Sequence, residues 1–76
     1  MNEVTMGDAY YFEENDTVKV ISAVRGINPY KEWEESVPEG TGGTIIVAGF
    51  GSCLVEFLLD GETIILSVNY DNLEPW

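Results

Sequence analysis

Short apolar runs bounded by turn residues constrain the fold of this chain more than any other feature. Each run has the length of one β-strand, and none shows the period of an amphipathic helix. The four runs are Thr17–Val24, Thr44–Phe50, Cys53–Leu59 and Glu62–Tyr70. The last two are joined by Asp60-Gly61, a pair that type I′ hairpin turns prefer. Short strands joined in this way predict an all-β fold, a small closed or nearly closed antiparallel barrel.

Alternation within the predicted strands indicates which side chains face the core. In Cys53–Leu59 every second residue is apolar, and Glu56 occupies the centre of the opposite face. Cys53 belongs to the apolar face, which indicates a buried structural thiol. The predicted core residues are Val18, Val20, Ile45, Val47, Val55, Phe57, Leu66 and Val68.

The segment Arg25–Thr41 shows no sustained strand period and is predicted to be one long loop. Glycines and prolines interrupt it, and Glu32–Glu35 has room for a single helical turn at most. Loops longer than about 12–15 residues in compact domains are usually functional or disordered. The loop is therefore the first place to look for a binding site.

Aromatic residues lie between charged residues in this predicted loop. Trp and Tyr bury a large area at low entropic cost and are favoured in binding sites. The candidate partner-binding residues are Tyr30, Glu32, Trp33, Glu34, Glu35 and Glu39. In the alternative interpretation Trp33 folds back and caps the open end of the barrel, and Trp76 carries the same ambiguity.

Acidic residues dominate the charge of the chain. Fourteen acids oppose three bases, which gives a formal net charge of −11. Such a surface repels nucleic-acid phosphates and anionic membranes and attracts basic proteins over long range. The same charge is also typical of a small domain that uses it only to stay soluble and monomeric.

Length and composition indicate one domain of 76 residues. We expect residues 1–14 to form an acidic and aromatic N-terminal segment and residues 15–76 to form the barrel. No apolar stretch approaches the 20 or so residues of a membrane span, and acids stand where a signal peptide would carry bases. A single cysteine rules out an internal disulfide. These features favour a cytoplasmic protein that is a monomer or weak dimer.

Several motifs in residues 15–76 resemble those of the SH3-like barrels. They are Glu39-Gly40-Thr41-Gly42-Gly43-Thr44-Ile45-Ile46-Val47, Leu54-Val55-Glu56-Phe57, Asp60-Gly61 and Asn72-Leu73-Glu74. They are similar to the glycine-rich entry, V-x-F strand, tight turn and closing Leu-Glu of that family. A family of short uncharacterised bacterial proteins shares this layout, and the barrels of photosystem I subunit IV and the nitrile hydratase β-subunit share it more distantly. The resemblance implies that Arg25–Thr41 corresponds to an RT-type loop, a common site of partner contact.

Residues that carry catalysis are sparse in this sequence. Histidine is absent, so the commonest general base and nitrogen ligand are missing, and Cys53 has no histidine to activate it. The acids between Asp8 and Asp16 do not have the spacing of an EF-hand loop. Gly40–Gly43 lacks the lysine and the following helix of a phosphate-binding loop. The sequence therefore predicts no enzyme activity, no cofactor and no dedicated metal site.

Two functional hypotheses remain. In the first, the protein binds a basic, nucleic-acid-handling partner and inhibits it, as immunity proteins and phage inhibitors do, with carboxylates in place of phosphates. In the second, it is an accessory subunit that docks on a larger enzyme or electron-transfer complex through an apolar patch. Direct nucleic-acid binding is disfavoured by the charge.

Overall fold

The structure is a computed structural model that describes residues 12–76. Its strands are β1 (Thr17–Val20), β2 (Val24–Ile27), β3 (Glu34–Val37), β4 (Gly42–Ala48), β5 (Ser52–Leu59), β6 (Glu62–Asn69) and β7 (Leu73–Pro75). One 3₁₀ turn, Tyr70–Asn72, precedes β7. The predicted all-β, antiparallel fold is confirmed.

The strands form two antiparallel sheets. The larger has the order β6-β5-β4-β1-β7, and the smaller is the hairpin of β2 and β3. In the described part of the chain the outer strands of the larger sheet, β6 and β7, are not paired with each other. The fold is therefore compatible with a small barrel whose hydrogen-bonded ladder is left open.

Seven of the eight predicted core residues are buried, among them Phe57 and Ile45, which are fully covered. Val47 is the exception and is 45% exposed. Ile45 pairs with Val55, whereas Val47 pairs with Leu54, so the register shifts between Ile45 and Val47. This β-bulge reverses the alternation and turns Val47 to the outer face. The core also contains residues outside the predicted set, namely Phe12, Val24, Val37, Cys53, Ile64 and Leu73.

The prediction of one unbroken loop over Arg25–Thr41 is wrong, because the segment contains most of β2 and all of β3. These strands pair from Val24↔Val37 to Ile27↔Glu34. The single helical turn for which Glu32–Glu35 has room does not form, since Glu32 has a φ of 66° and Glu34 already lies in β3. Pairing between the two strands fixes this segment, and the short β2 and β3 carry too few residues to show a period in sequence.

Asn72 ends the first strand earlier than the sequence predicts. The predicted run Thr17–Val24 is divided into β1 and the start of β2. Between them, the Asn72 carbonyl accepts from the Ile21 N–H at 2.9 Å, and the Asn72 Oδ1 accepts from the Ser22 hydroxyl at 2.7 Å. These hydrogen bonds of Asn72 also position the start of β7, which pairs with β1.

The predicted N-terminal segment is described only from residue 12 onward. Phe12 is buried and stacks on Tyr70, with ring centroids 6.2 Å apart and planes 19° from parallel. Glu3, Asp8, Tyr10 and Tyr11 lie outside the described residues. At least the end of the segment is thus part of the packed domain.

Candidate functional site

Asn28 holds the tip of the β2–β3 hairpin together. It is 1% exposed, its Nδ2 donates to Glu35 Oε1 at 2.7 Å, and its Oδ1 accepts from the Tyr30 N–H at 2.9 Å. Its backbone N–H donates to the Trp33 carbonyl, and its carbonyl accepts from the Glu32 N–H. A buried polar side chain stabilises a fold when partners satisfy it, so Asn28 fixes the course of the chain between the strands.

The carboxylate of Glu35 is used inside the hairpin. One oxygen accepts from Asn28, and the other accepts from the Trp33 indole N–H at 2.9 Å and lies 3.9 Å from Lys31 Nζ. The hydrogen bonds from Asn28 and Trp33 lower the pKa of Glu35, with a smaller contribution from Lys31 and against the effect of desolvation. Its side chain is only 12% exposed, so Glu35 supports the hairpin and is poorly placed to meet a partner.

Lys31 connects the hairpin to the larger sheet. Its ammonium donates to the Thr63 carbonyl of β6 at 3.0 Å and lies 5.7 Å from the centroid of the Trp33 ring. A Cβ atom placed on Gly26 of β2 would lie 3.9 Å from Leu66 Cδ2 of β6, so the two strands are close neighbours here. The hairpin is therefore docked on β6.

Tyr30, Glu32 and Trp33 form the exposed tip of the hairpin. Tyr30 is 64% exposed and Trp33 is 57% exposed, so the Trp33 ring does not cap the core. Glu32 is exposed, and among the described residues no lysine or arginine lies within 4 Å of its carboxylate. These three side chains are the part of the predicted site that the structure leaves open to a partner.

Glu34 and Glu39 stand apart from this tip. Glu34 is exposed but lies 3.0 Å from Arg25 Nε, which compensates its charge. Glu39 lies beyond the base of the hairpin, next to Gly40, which has a φ of 84° and donates its N–H to the Val20 carbonyl. The six candidate residues are therefore not one surface.

A second exposed surface lies on the outer face of the larger sheet, and we call it the Gly42 groove. It is an open groove of about 430 Å³. Its lining includes Thr17, Gly42, Gly43, Thr44, Glu56, Leu58 and Trp76. Sequence reasoning placed Glu56 at the centre of an outer face. It missed the groove because it did not foresee that the chain after Leu73 pairs with β1 and brings Trp76 onto the sheet.

Several kinds of chemical site find no support in residues 12–76. This part of the chain contains no group of three or more side chains suited to hold a metal ion. Burial raises the pKa of the Cys53 thiol to about 11, which disfavours the reactive thiolate. No helix among these residues is long and apolar enough to cross a membrane.

Comparison with protein-family models, with curated proteins and with solved structures finds no match to this chain.

Proposed function

We propose that this protein is a non-catalytic acidic module that binds a basic, nucleic-acid-handling protein and inhibits it. The observation that carries the proposal is that the three basic side chains neutralise only three of the acids. Lys19, Arg25 and Lys31 lie within 4 Å of Glu74, Glu34 and Glu35, respectively. The other nine of the twelve acids in residues 12–76 have no lysine or arginine at that distance.

Uncompensated carboxylates on a small domain favour binding to a basic protein, because they attract positive charge. Eight of those nine acids are exposed, and they are spread over turns and strands. Their summed field attracts a positively charged surface and raises the association rate at low salt. A nucleic-acid-handling protein carries such a surface where it meets phosphates, so a carboxylate-covered domain competes for the same place.

Membership of the SH3-like barrels is part of the proposal. The strand order, the hairpin between β1 and β4, and the 3₁₀ turn before β7 are compatible with it. In this proposal the β2–β3 hairpin is the RT-type loop, with Trp33 and Tyr30 as aromatic contacts at its tip.

The test begins with capture of binding proteins from the source organism at low salt, followed by release in a salt gradient and mass spectrometry. A captured nucleic-acid-handling protein should lose its activity in the presence of this chain, and DNA or RNA should compete with the chain for it. Binding that nucleic acid does not displace would contradict mimicry.

Two variants of equal net charge locate the contact on the captured partner. Glu32→Gln removes an uncompensated charge at the hairpin tip, and Glu74→Gln removes one that Lys19 compensates. If the tip is the contact, Glu32→Gln slows association more than Glu74→Gln does. Trp33→Ala should act on the dissociation rate, by roughly 2–4 kcal/mol if the ring is a hot spot. Equal kinetics for all three variants and the wild type would exclude the tip.

An accessory subunit is the second candidate, and one observation favours it. Phe50 stands fully exposed between Gly49 and Gly51 at the β4–β5 turn, and Val47 is exposed nearby in sequence. An apolar contact of this kind would change little with salt. Partner binding that withstands high salt and is lost in Phe50→Ser would support this candidate over the acidic inhibitor.

A further inference from the structure

The strand register brings residues of three strands together with Trp76, which follows β7, on the outer face of the larger sheet. On this face Thr17 of β1 pairs with Thr44 of β4, and Thr44 pairs with Glu56 of β5. The Trp76 N–H donates to the Thr17 carbonyl at 3.2 Å, which places Trp76 at the end of the same row. An indole and a carboxylate therefore line one groove with two threonines between them.

Gly42 makes room for the Trp76 ring because it has no side chain. A Cβ atom at this position would lie 2.9 Å from Trp76 Cζ3 and 3.1 Å from its Cε3. Real Cβ atoms do not approach other atoms so closely, so only glycine lets the ring lie across β1 and over β4. On the far side of the groove stands Leu58, which is exposed.

The Trp76 ring already lies near one cation. Lys19 Nζ is 5.6 Å from the ring centroid and 3.7 Å from Glu74 Oε2. Glu74 compensates the charge of Lys19, so this ammonium does not oppose a second cation in the groove. Attraction between a cation and an indole face is strongest for tryptophan among the aromatic residues.

Glu56 gives the groove an unused negative charge. It is exposed, and no lysine or arginine of residues 12–76 lies within 4 Å of its carboxylate. The groove thus offers an aromatic wall, two threonines, an aliphatic wall and a carboxylate. This set suits a long side chain with a flat cationic end.

We infer that the Gly42 groove receives an arginine side chain of the partner, which lies between Trp76 and Leu58 with its guanidinium on Glu56. A guanidinium is planar, stacks on aromatic rings and forms two parallel hydrogen bonds with a carboxylate, and an ammonium lacks this geometry. The inference rests on the proposed function, since it assigns a site to a basic partner. It moves the specific contact from the hairpin tip to the sheet.

The test is a titration of the ¹⁵N-labelled protein with the peptide acetyl-Gly-Arg-Gly-amide. The Trp76 indole N–H and the backbone N–H groups of Gly42 and Glu56 should shift together. The same peptide with citrulline, which has the shape of arginine without its charge, should give no shifts, and a lysine peptide should bind more weakly. Equal binding of the citrulline or the lysine peptide would overturn the assignment to arginine.

Two acid variants and one tryptophan variant complete the test. Glu56→Gln should weaken binding by about tenfold or more, because a charge-assisted hydrogen bond is lost. Glu62→Gln removes an exposed acid outside the groove lining that has no lysine or arginine of residues 12–76 within 4 Å, and it should leave binding close to wild type. Trp76→Leu should also weaken binding. Equal loss in Glu56→Gln and Glu62→Gln would show general charge attraction and would refute the site.

Failure of this inference differs from failure of the proposed function. If the arginine peptide does not bind while the whole protein still inhibits a basic partner with strong salt dependence, the groove is excluded and the function stands. If the peptide binds in the groove but nucleic acid does not compete for any captured partner, the groove stands and the inhibitory function fails.

Discussion

The β2–β3 hairpin and the outer face of the larger sheet both carry a tryptophan and carboxylates, but they use them differently. In the hairpin, Trp33 and Glu35 bond to each other, and two of the three bases of the chain, Arg25 and Lys31, pair with its acids. On the sheet, Glu56 has no basic partner within 4 Å among residues 12–76. Glu35 of the hairpin is thus satisfied internally, whereas Glu56 of the sheet remains open to a partner.

This difference matters for any experiment on the hairpin. Reversing the charges of Glu32, Glu34 and Glu35 together would break the ion pair of Arg25 and remove the acceptor of Asn28. A loss of binding in that variant would report a damaged hairpin as much as a lost contact. Glu32 is the acid of the three whose change leaves these contacts in place.

The largest expected effect concerns the core beneath the sheet. Phe57 is fully buried, and Phe57→Ala should cost about 3–5 kcal/mol in the free energy of unfolding. A domain of this size has a total of roughly 4–11 kcal/mol, so the variant should lose a large share of its stability and melt far below the wild type. Phe50→Ala is the matched control, because Phe50 is fully exposed and should change stability by less than about 0.5 kcal/mol. Thermal melts of similar midpoint for both variants would contradict the assignment of the core.

A smaller and more local effect is expected in the hairpin. Asn28→Ala removes the donor to Glu35 and leaves the Tyr30 N–H without its acceptor, which should cost about 1–3 kcal/mol. Hydrogen exchange should become faster in residues 24–37 and stay slow in β4, β5 and β6. Uniform acceleration across the sheet would mean that the hairpin and the sheet unfold as one unit.

The sequence predicted β5 and β6 of the larger sheet well, because the residues that define these strands and their turn are neighbours in the sequence. Cys53–Leu59 is a strand-length apolar run that only Glu56 interrupts, and Asp60-Gly61 specifies the turn that follows, so β5 and β6 were predicted within one residue of their bounds. The bulge at Ile45 and Val47 could not be foreseen, because no residue type requires a register shift there. A single inserted residue in the ladder was enough to reverse the face of Val47.

The candidate site was less predictable because it depends on pairing between distant residues. The tip residues Tyr30 and Trp33 were found from composition and are exposed. The internal role of Glu35 depends on Asn28, an ordinary polar residue whose burial no local pattern indicates. The Gly42 groove requires β7 beside β1, and Leu73–Pro75 is too short to be identified as a strand.

We next expect stability to depend on pH through Glu35 of the hairpin, with Glu32 at its tip as the control. Its folded-state pKa is lowered from the ordinary value of 4.5, first by Asn28 and then by Trp33, so folding favours the carboxylate. The stability that Glu35 contributes is fully present above pH 4.5 and is lost as the pH falls through the lowered folded-state pKa. The gap in melting temperature between wild type and Glu35→Gln should therefore be widest near neutral pH and close in acid. Glu32→Gln controls for the loss of one charge from the hairpin, and a gap for Glu35→Gln that widens in acid would contradict this role.

The smallest expected effect is a change in melting temperature with salt and surface charge. It distinguishes a compensated acid of the hairpin from an uncompensated acid of the sheet. The three ion pairs found within residues 12–76 are partly exposed, and each is worth at most about 1 kcal/mol, whereas the net charge of −11 opposes folding through repulsion. Added salt screens both the ion pairs and the repulsion, and the repulsion is the stronger of the two. We therefore expect the melting temperature to rise by about 2–8 °C between low and moderate NaCl.

Two variants of equal net charge sharpen this test. Glu56→Gln removes an acid that no base compensates, and it should raise the melting temperature at low salt by relieving repulsion. Glu34→Gln removes the partner of Arg25, so the lost attraction offsets the relieved repulsion and the melting temperature should stay near wild type. In moderate NaCl the difference between the two variants should shrink, because screening weakens both interactions. If instead Glu34→Gln stabilises the protein as much as Glu56→Gln does, the Arg25 ion pair carries no weight, and the hairpin and the sheet do not differ in charge compensation.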